Sequence, residues 1–338
     1  GAGYIGSHAC VELLQAGHYV VVIDNFSNSS VDALKQVANI TKTELSVVTN
    51  GGRLTPFVFE QVDIRDRAEL DRIFSVYSFD CVMHFAGLKA VGESVKKPLE
   101  YYDNNIVGSL ALYEVMQASG VKRIIFSSSA TVYGDPHTVP INESFPLSVT
   151  NPYGRSKFFN EGILSDLHTS DSQWSVVLLR YFNPIGAHKS GLIGENPSGI
   201  PNNLMPYIGQ VAIGKLERLS VFGNDYPTKD GTGIRDYIHV IDLAKGHVAA
   251  LDYLSDQDDG GILTVNLGTG KGYSVLEIIN EFEKVSGERV PYSIVDRRIG
   301  DVAECYADPS YARKILGWKA ELDLERMCKD TWRWINKK

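Results

Sequence analysis

Tyr153 and Lys157 stand four residues apart in the stretch Asn151-Pro152-Tyr153-Gly154-Arg155-Ser156-Lys157. On a helix that interval is one turn, so phenol and ammonium share a face. Such a pair can make a base. A free phenol titrates near about 10, and a fixed cation beside it favours the ionised form that accepts a proton near neutral pH. Asn is a favoured N-cap and Pro a favoured first helical residue, so Asn151-Pro152 predicts a helix start with Tyr153 in its first turn. The spacing alone is common on solvated helices. It gains chemical meaning from the run Phe126-Ser127-Ser128-Ser129-Ala130-Thr131-Val132-Tyr133-Gly134, which follows an apolar strand pattern at residues 122–126 and delivers three hydroxyls at its end.

A second pattern opens the chain. Gly1-Ala2-Gly3-Tyr4-Ile5-Gly6 reads G-x-G-x-x-G, a helical pattern continues to Gly17, and a strand pattern at residues 18–23 ends on Asp24. Glycines let a backbone approach a pyrophosphate, a helix N-terminus offers it N–H groups and positive dipole, and an acid at this distance accepts from the adenosine ribose hydroxyls. A carboxylate there repels a 2′-phosphate, which predicts NAD rather than NADP. The strand that leads into such a turn is not part of the sequence.

These residues need a scaffold that collects them at one edge, and the alternation of patterns supplies it. Helices are expected at residues 31–40 and 68–74, and a polar insertion at 41–55. Strands are expected at 57–63 and 81–85, and a long helix carrying Asn104-Asn105 at 98–119. Further strands follow at 122–126 and 174–181. Short apolar runs alternating with amphipathic helices predict an α/β fold of the Rossmann type, a doubly wound parallel sheet with ligands at the carboxyl ends of its strands. The loops after Asp24, Asp63, Phe85 and Phe126 are then the ones to watch. Gly and Pro become frequent from Gly186 to Pro206, which places a boundary near residue 183. A nucleotide-binding lobe over 1–183 and a smaller α/β substrate lobe over 184–338 are expected, with part of 234–268 packing back on the first. Helices at 311–316 and 324–336 close the chain.

Composition narrows the classes. At 338 residues, with 43% hydrophobic and 22% charged side chains, the chain is globular and long enough for two lobes. No apolar run approaches the roughly 20 residues of a membrane span. A formal charge of −8 argues against nucleic acid as a partner. Cys10, Cys81, Cys305 and Cys328 are far apart, without zinc spacing, which predicts no structural metal, no disulfide framework and a reducing, cytoplasmic setting.

With the glycine turn, Asp24, Ser129 and the Tyr153/Lys157 pair assembled, the chain resembles the extended short-chain dehydrogenase/reductase superfamily. Longer strings narrow the resemblance to its UDP-galactose 4-epimerase family: His84-Phe85-Ala86-Gly87-Leu88-Lys89-Ala90-Val91-Gly92-Glu93-Ser94, Tyr181-Phe182-Asn183-Pro184, Pro201-Asn202-Asn203-Leu204-Met205-Pro206 and Gly233-Ile234-Arg235-Asp236-Tyr237-Ile238-His239-Val240. The resemblance implies a tightly held NAD that is reduced and reoxidised within one turnover. It also implies that Tyr153 takes the C4 hydroxyl proton of a UDP-sugar, that Ser129 bonds the same hydroxyl, and that Lys157 holds the nicotinamide ribose and lowers the Tyr153 pKa.

By the same resemblance, cofactor contacts fall on Gly1, Gly3, Tyr4, Ile5, Gly6, Asp24, Asn25, Asn28, Ser29, Asp63, Ile64, Phe85, Ala86, Gly87, Lys89, Asn104, Ser127, Tyr153, Lys157, Tyr181 and Pro184. Substrate contacts fall on Lys89, Ser129, Ala130, Thr131, Tyr153, Phe182, Asn183, Asn203, Leu204, Phe222, Arg235, Tyr237, Arg298, Asp301 and Cys305. A guanidinium suits a diphosphate because it makes bidentate charge-assisted bonds. The small Cys305 implies room for N-acetylated sugars, and the family implies a homodimer through the helices at 98–119 and 151–168. UDP-glucuronate or UDP-pentose epimerisation is the nearest alternative, and a non-catalytic NAD-binding regulator the alternative of another class. Sugar 4,6-dehydration is disfavoured, since Ser129-Ala130-Thr131 lacks the carboxylate that eliminating water needs.

Overall fold

Apolar runs too short for helices alternate with amphipathic segments along the first half of the chain, and the fold follows that alternation. The computed structural model describes residues 1–48, 55–197, 199–257, 259–298 and 300–337. In chain order come α1 (Tyr4–Gln15), β1 (Val20–Asp24), α2 (Val31–Thr41), β2 (Leu45–Val48), β3 (Phe57–Gln61), α3 (Arg67–Val76), β4 (Val82–His84), α4 (Val91–Lys96), α5 (Pro98–Tyr102), α6 (Gly108–Ala118), β5 (Arg123–Ser129), α7 (Pro152–Ser170) and β6 (Ser175–Tyr181). They are followed by β7 (Asn183–Ile185), α8 (Leu204–Ala212), β8 (Leu219–Phe222), β9 (Ile234–His239), α9 (Val240–Ser255), β10 (Gly261–Leu267), β11 (Gly272–Ser274), α10 (Val275–Ser286), β12 (Tyr292–Val295), β13 (Glu304–Cys305), α11 (Ser310–Leu316) and α12 (Leu324–Ile335).

Two all-parallel sheets carry the first part of the chain, in the orders β1-β3-β2 and β10-β6-β5-β4. All seven residues of β6 are buried, as a parallel strand covered by helices on both faces must be. Side chains alternate between the faces. Ile124, Phe126 and Val176 pack on Leu70, Ile73, Leu112 and Met116, while Ile125, Val177 and Leu179 pack on Leu243, Ala250, Leu254 and Trp318. Each buried aliphatic or aromatic chain contributes roughly 1.5–3 kcal/mol of transfer free energy. β1 and β4 do not pair. They face each other across a cleft of about 530 Å³, lined by Val20, Val22 and Ile23 on one side and Val82, Met83 and Phe85 on the other.

β10 pairs with β6 in parallel, from Gly261 opposite Ser175 to Leu267 opposite Tyr181, so a late segment of the chain completes the early sheet. A smaller set, β11-β9-β13 with β7 also on β9, and the pair β12-β8, lies over a second core of Met205, Ile208, Ile278, Phe282 and Met327.

Three details depart from the sequence reading. The segment 41–55, expected as a polar insertion, contains β2, because Leu45 and Val47 find partners on β3; residues 49–54 lie outside the described residues. The helix expected at 98–119 is broken by a π-type turn at Asp103–Val107, with α5 and α6 on either side. α10 was not anticipated, although Ser274 and Glu277 form a capping box, a signal present in the sequence.

Candidate active site

Helix α7 starts where its first residues dictate. Asn151 Oδ1 accepts from Gly154 N at 2.8 Å and Pro152 occupies the first turn. A Cβ on Gly154 would stand 3.1 Å from the Thr131 carbonyl oxygen, so its absence lets the helix start close on the turn after β5. That approach brings Tyr153 to Ser129, whose hydroxyl pulls the phenol pKa down. Thr131 N and Oγ1 donate to Ser129 Oγ at 3.2 and 3.0 Å. Burial pushes the Tyr153 phenol above its ordinary value, while the Ser129 hydroxyl and the charge of Lys89 pull the other way.

Lys157 points elsewhere than the spacing suggested. Its ammonium donates to the Ser127 carbonyl at 2.6 Å and to Ser127 Oγ at 3.3 Å, over the Phe126 ring at 4.8 Å. A buried ammonium must be solvated by fixed oxygens, and β5 offers two. Burial lowers its pKa to about 8, against an upward pull from Glu161. The charge of Lys89 is the one that pulls the Tyr153 pKa down.

Lys89 lies in the loop after β4. Its ammonium pairs with Glu195 at 2.8 Å, and Asn203 Nδ2 donates to the same carboxylate oxygen at 2.7 Å. Asn203 sits at the N-cap position of α8 without capping it, its side chain being committed to Glu195. Glu195 was not singled out from the sequence; its importance arises from contacts between segments far apart in the chain. Asn105 was likewise passed over in favour of Asn104. Buried in the π-type turn, Asn105 clamps Leu88 through both amide atoms, at 2.8 and 2.9 Å, and bonds Ser156 Oγ at 3.0 Å, while Asn104 donates to it at 2.8 Å. The turn thus holds the loop carrying Phe85, Ala86, Gly87 and Lys89.

At the end of β6, the Tyr181 hydroxyl donates to His247 Nε2, because His247 Nδ1 is engaged with the Leu243 carbonyl at 2.9 Å. Phe85 lies on the His247 ring at 4.9 Å between centroids. Burial pushes the His247 pKa down to about 4, so the ring is neutral at pH 7.

The glycine turn is built around its own backbone. A Cβ on Gly6 would lie 2.2 Å from the Gly1 carbonyl oxygen, a distance no side chain tolerates. Gly3 is the N-cap of α1 and brings no side chain to its first N–H groups, which suits an anion. Asp24 accepts from Ala2 N at 2.7 Å, Phe26 N at 2.9 Å and Ser29 Oγ at 2.7 Å. Burial pushes its pKa up, while the bonds from Ser29 and Phe26 pull it down. Asn25 donates to Asp63 at 2.8 Å, and Arg65 holds that carboxylate ionised well below the usual range. Ile64 packs against Gly108, Ile5 borders the core under β6, and Tyr4 OH donates to the Gly186 carbonyl at 2.7 Å. Asn28 is exposed and makes none of these contacts.

The remaining residues group on the second sheet. Asn183 and Pro184 lie on β7 opposite Tyr237 and Ile238. Phe182, Ala130 and Cys305 share one buried cluster with Val132 and Ala307, and Cys305 pairs with Arg235 across β13 and β9. Arg298 bonds Asp301 at 2.9 Å and stands 4.7 Å over the Phe222 ring. Arg235 donates only to its neighbour's carbonyl, Ile234 O at 2.8 Å, and has no ion pair among the described residues. Leu204 opens α8 beside Asn203.

Residues 1–331 match the family described as GDP-mannose 4,6 dehydratase. A UDP-glucose 4-epimerase of Bacillus subtilis (strain 168) is 60% identical over 334 residues, which cover 99% of this chain and 94% of the relative. The chain belongs to the UDP-glucose 4-epimerase family. Solved members share its fold. The enzyme from Bifidobacterium longum, crystallised with NAD+ and UDP, is 53% identical with a TM-score of 0.93 and covers 100% of this chain and 96% of its own. The UDP-glucose-4-epimerase from Stenotrophomonas maltophila, with bound NAD and formylated UDP-arabinopyranose, is 52% identical with the same TM-score over 100% and 96%.

Proposed function

We propose that this chain interconverts UDP-galactose and UDP-glucose at C4, as an NAD-dependent epimerase. The observation that carries the reading is the placing of Tyr153, in the first turn of α7, beside Ser129 at the carboxyl end of the parallel sheet, in a chain 60% identical to an epimerase along its length. The glycine turn and Asp24 fit a dinucleotide: the turn's N–H groups take the pyrophosphate and Asp24 the adenosine ribose, with Asn25, Asn28, Ser29, Asp63 and Ile64 around the adenosine end. When bound, NAD supplies a hydride acceptor for the C4 hydrogen and returns the hydride to the opposite face of the 4-keto sugar.

The protein's part is to move one proton and hold two substrates. Tyr153 removes the C4 hydroxyl proton and later returns it; Ser129 bonds that oxygen and stabilises its developing charge. Lys157, held on Ser127, faces the nicotinamide ribose. Tyr181 and Pro184 flank the nicotinamide, and Phe85, Ala86, Gly87 and Lys89 follow the pyrophosphate. Arg235 and Arg298 take the UDP diphosphate and Phe222 the uracil. Asn183, Asn203 and Leu204 position the rest, so the first lobe, 1–183, holds the cofactor and the second, 184–338, the sugar nucleotide. A dehydratase reading is not favoured, because no carboxylate accompanies Ser129-Ala130-Thr131.

We further read the protein as a cytoplasmic homodimer. Leu99, Val107, Leu110, Phe158 and Phe159 are exposed on α5, α7 and the π-type and α6 turns between them, a contiguous set of helices with apolar side chains in solvent. All four cysteines are free, and no helix among the described residues is long and apolar enough to cross a membrane. The test of the activity is direct. Purified protein given UDP-galactose, with no added oxidant or reductant, should yield UDP-glucose until the two reach equilibrium. UDP-galactose left unchanged would refute it.

A further inference from the structure

Behind the site lies a buried polar cluster that the reaction as described does not use. Glu161, on α7 one turn beyond Lys157, and Arg180, on β6, are both buried, with side-chain exposures of 6% and 7%. Arg180 grips the carboxylate from two sides, Nε to Oε1 at 3.0 Å and Nη2 to Oε2 at 2.7 Å. The Ser128 hydroxyl donates to the same Oε1, so the residue next to Ser129 is tied to the helix that carries Tyr153. Arg180 also donates to Tyr133 OH at 2.9 Å, and Tyr133 donates to Asn266 on β10 at 2.7 Å. The cluster thus pins β5, β6, β10, α7 and the turn after Ser129 to one another.

We propose that Glu161 is a positioning residue of the reaction: clamped by Arg180 and Ser128, it fixes helix α7 against strand β5 and supplies the buried negative charge that keeps Lys157 protonated. The proposal rests on the reading of Lys157 given above. The surroundings of Lys157 leave few other candidates among the described residues. On β5 it meets Ser127 and the Phe126 ring, and the loop after β4 presents Gly87 backed by Asn105. His84 on β4 is pushed by burial to about 3 and is neutral, and Arg180 on β6 is positive. Glu161 is the group that opposes the effect of burial on Lys157, whose pKa is about 8. A buried carboxylate that both orients a helix and offsets a neighbouring ammonium does two jobs that hydrophobic packing cannot.

The pH dependence of folding separates this from a purely structural role. A Lys whose folded pKa lies below its unfolded value binds fewer protons folded than unfolded between the two, so stability rises with pH from about 8 to about 10.4. Urea unfolding from pH 6 to 10.5 on wild type, Glu161→Asp, Glu161→Gln and Lys157→Met reads that window, and the alkaline fall of kcat reads it in the working enzyme. Glu161→Asp, which keeps the charge, should leave the window in place, and Lys157→Met should remove it. Glu161→Gln should start it about one pH unit lower and move the alkaline fall of kcat the same way, the lower end of what a neighbouring opposite charge does. If Glu161→Gln is too unstable to fold, Glu161→Gln/Arg180→Met removes both buried charges and should show a displacement in the same direction but smaller, since a positive charge is lost with the negative one. A window unmoved by either, while Lys157→Met abolishes it, would overturn the proposal. Lys157→Met with unchanged kcat would instead refute the role given to Lys157.

Discussion

The Lys157 ammonium donates to the Ser127 carbonyl at 2.6 Å, so the cation one helical turn from Tyr153 is tied to strand β5 and not to the phenol. The consequence is a division of labour between two lysines. Lys157 is a buried charge at the end of the sheet, and Lys89, from the loop after β4, supplies the field on Tyr153.

Tyr153→Phe keeps the ring that packs at the start of α7 and removes the only group proposed to carry the proton. Steady-state assays should show kcat reduced by about 10²–10⁴-fold, the usual cost of losing a positioned base, with the cofactor still bound after purification. A near-normal kcat would mean that another group takes the proton.

Lys89→Met removes the positive charge that pulls the Tyr153 pKa down. Without it the phenol ionises at higher pH, so the acid limb of kcat/KM should move upward. Lys157→Met should not move that limb the same way, because the Lys157 ammonium is committed to the Ser127 carbonyl. Equal displacements in both variants would restore the pairing that the four-residue spacing suggests.

Much of this arrangement can be read from the chain. Asn151-Pro152 caps α7, the G-x-G-x-x-G turn meets Asp24, and the parallel strands end where the serines are. These signals are local, so short-range chemistry announces them. The direction of Lys157 is not legible, because spacing assigns a face of a helix but not the oxygens that face will meet. The π-type turn is hidden for a related reason: one extra residue per turn leaves the apolar pattern of residues 98–119 nearly unchanged while rotating Asn105 inward. Glu195 carries no motif, and its bonds to Lys89 and Asn203 exist only after segments distant in sequence have come together.

Gly6→Ala tests the turn that is to hold the cofactor. An added Cβ would lie 2.2 Å from a backbone oxygen of Gly1, so the turn must open. Protein denatured after purification should release nicotinamide dinucleotide in near-stoichiometric amount from wild type and little from the variant. Equal amounts from both would place the cofactor elsewhere.

Cys305 lies in a cluster with Ala130, Phe182 and Ala307, next to the segment that carries Ser129, and its side chain takes less of the volume there than a phenol ring would. Wild type should therefore interconvert UDP-GlcNAc and UDP-GalNAc as well as the unacetylated pair. Cys305→Tyr should lose the first activity by at least about 100-fold and keep the second, since a clash can exclude one substrate outright. Parallel assays of both pairs decide it, and a wild type inert toward UDP-GlcNAc would contradict the assignment.

The central claim is that a hydride leaves C4 and returns to the same carbon without leaving the site. UDP-galactose carrying deuterium at C4, incubated with the purified protein in ordinary water, tests this most directly. The account predicts UDP-glucose with the deuterium retained at C4, as read by mass spectrometry and proton NMR. Product in which that deuterium has been replaced by solvent hydrogen would contradict it.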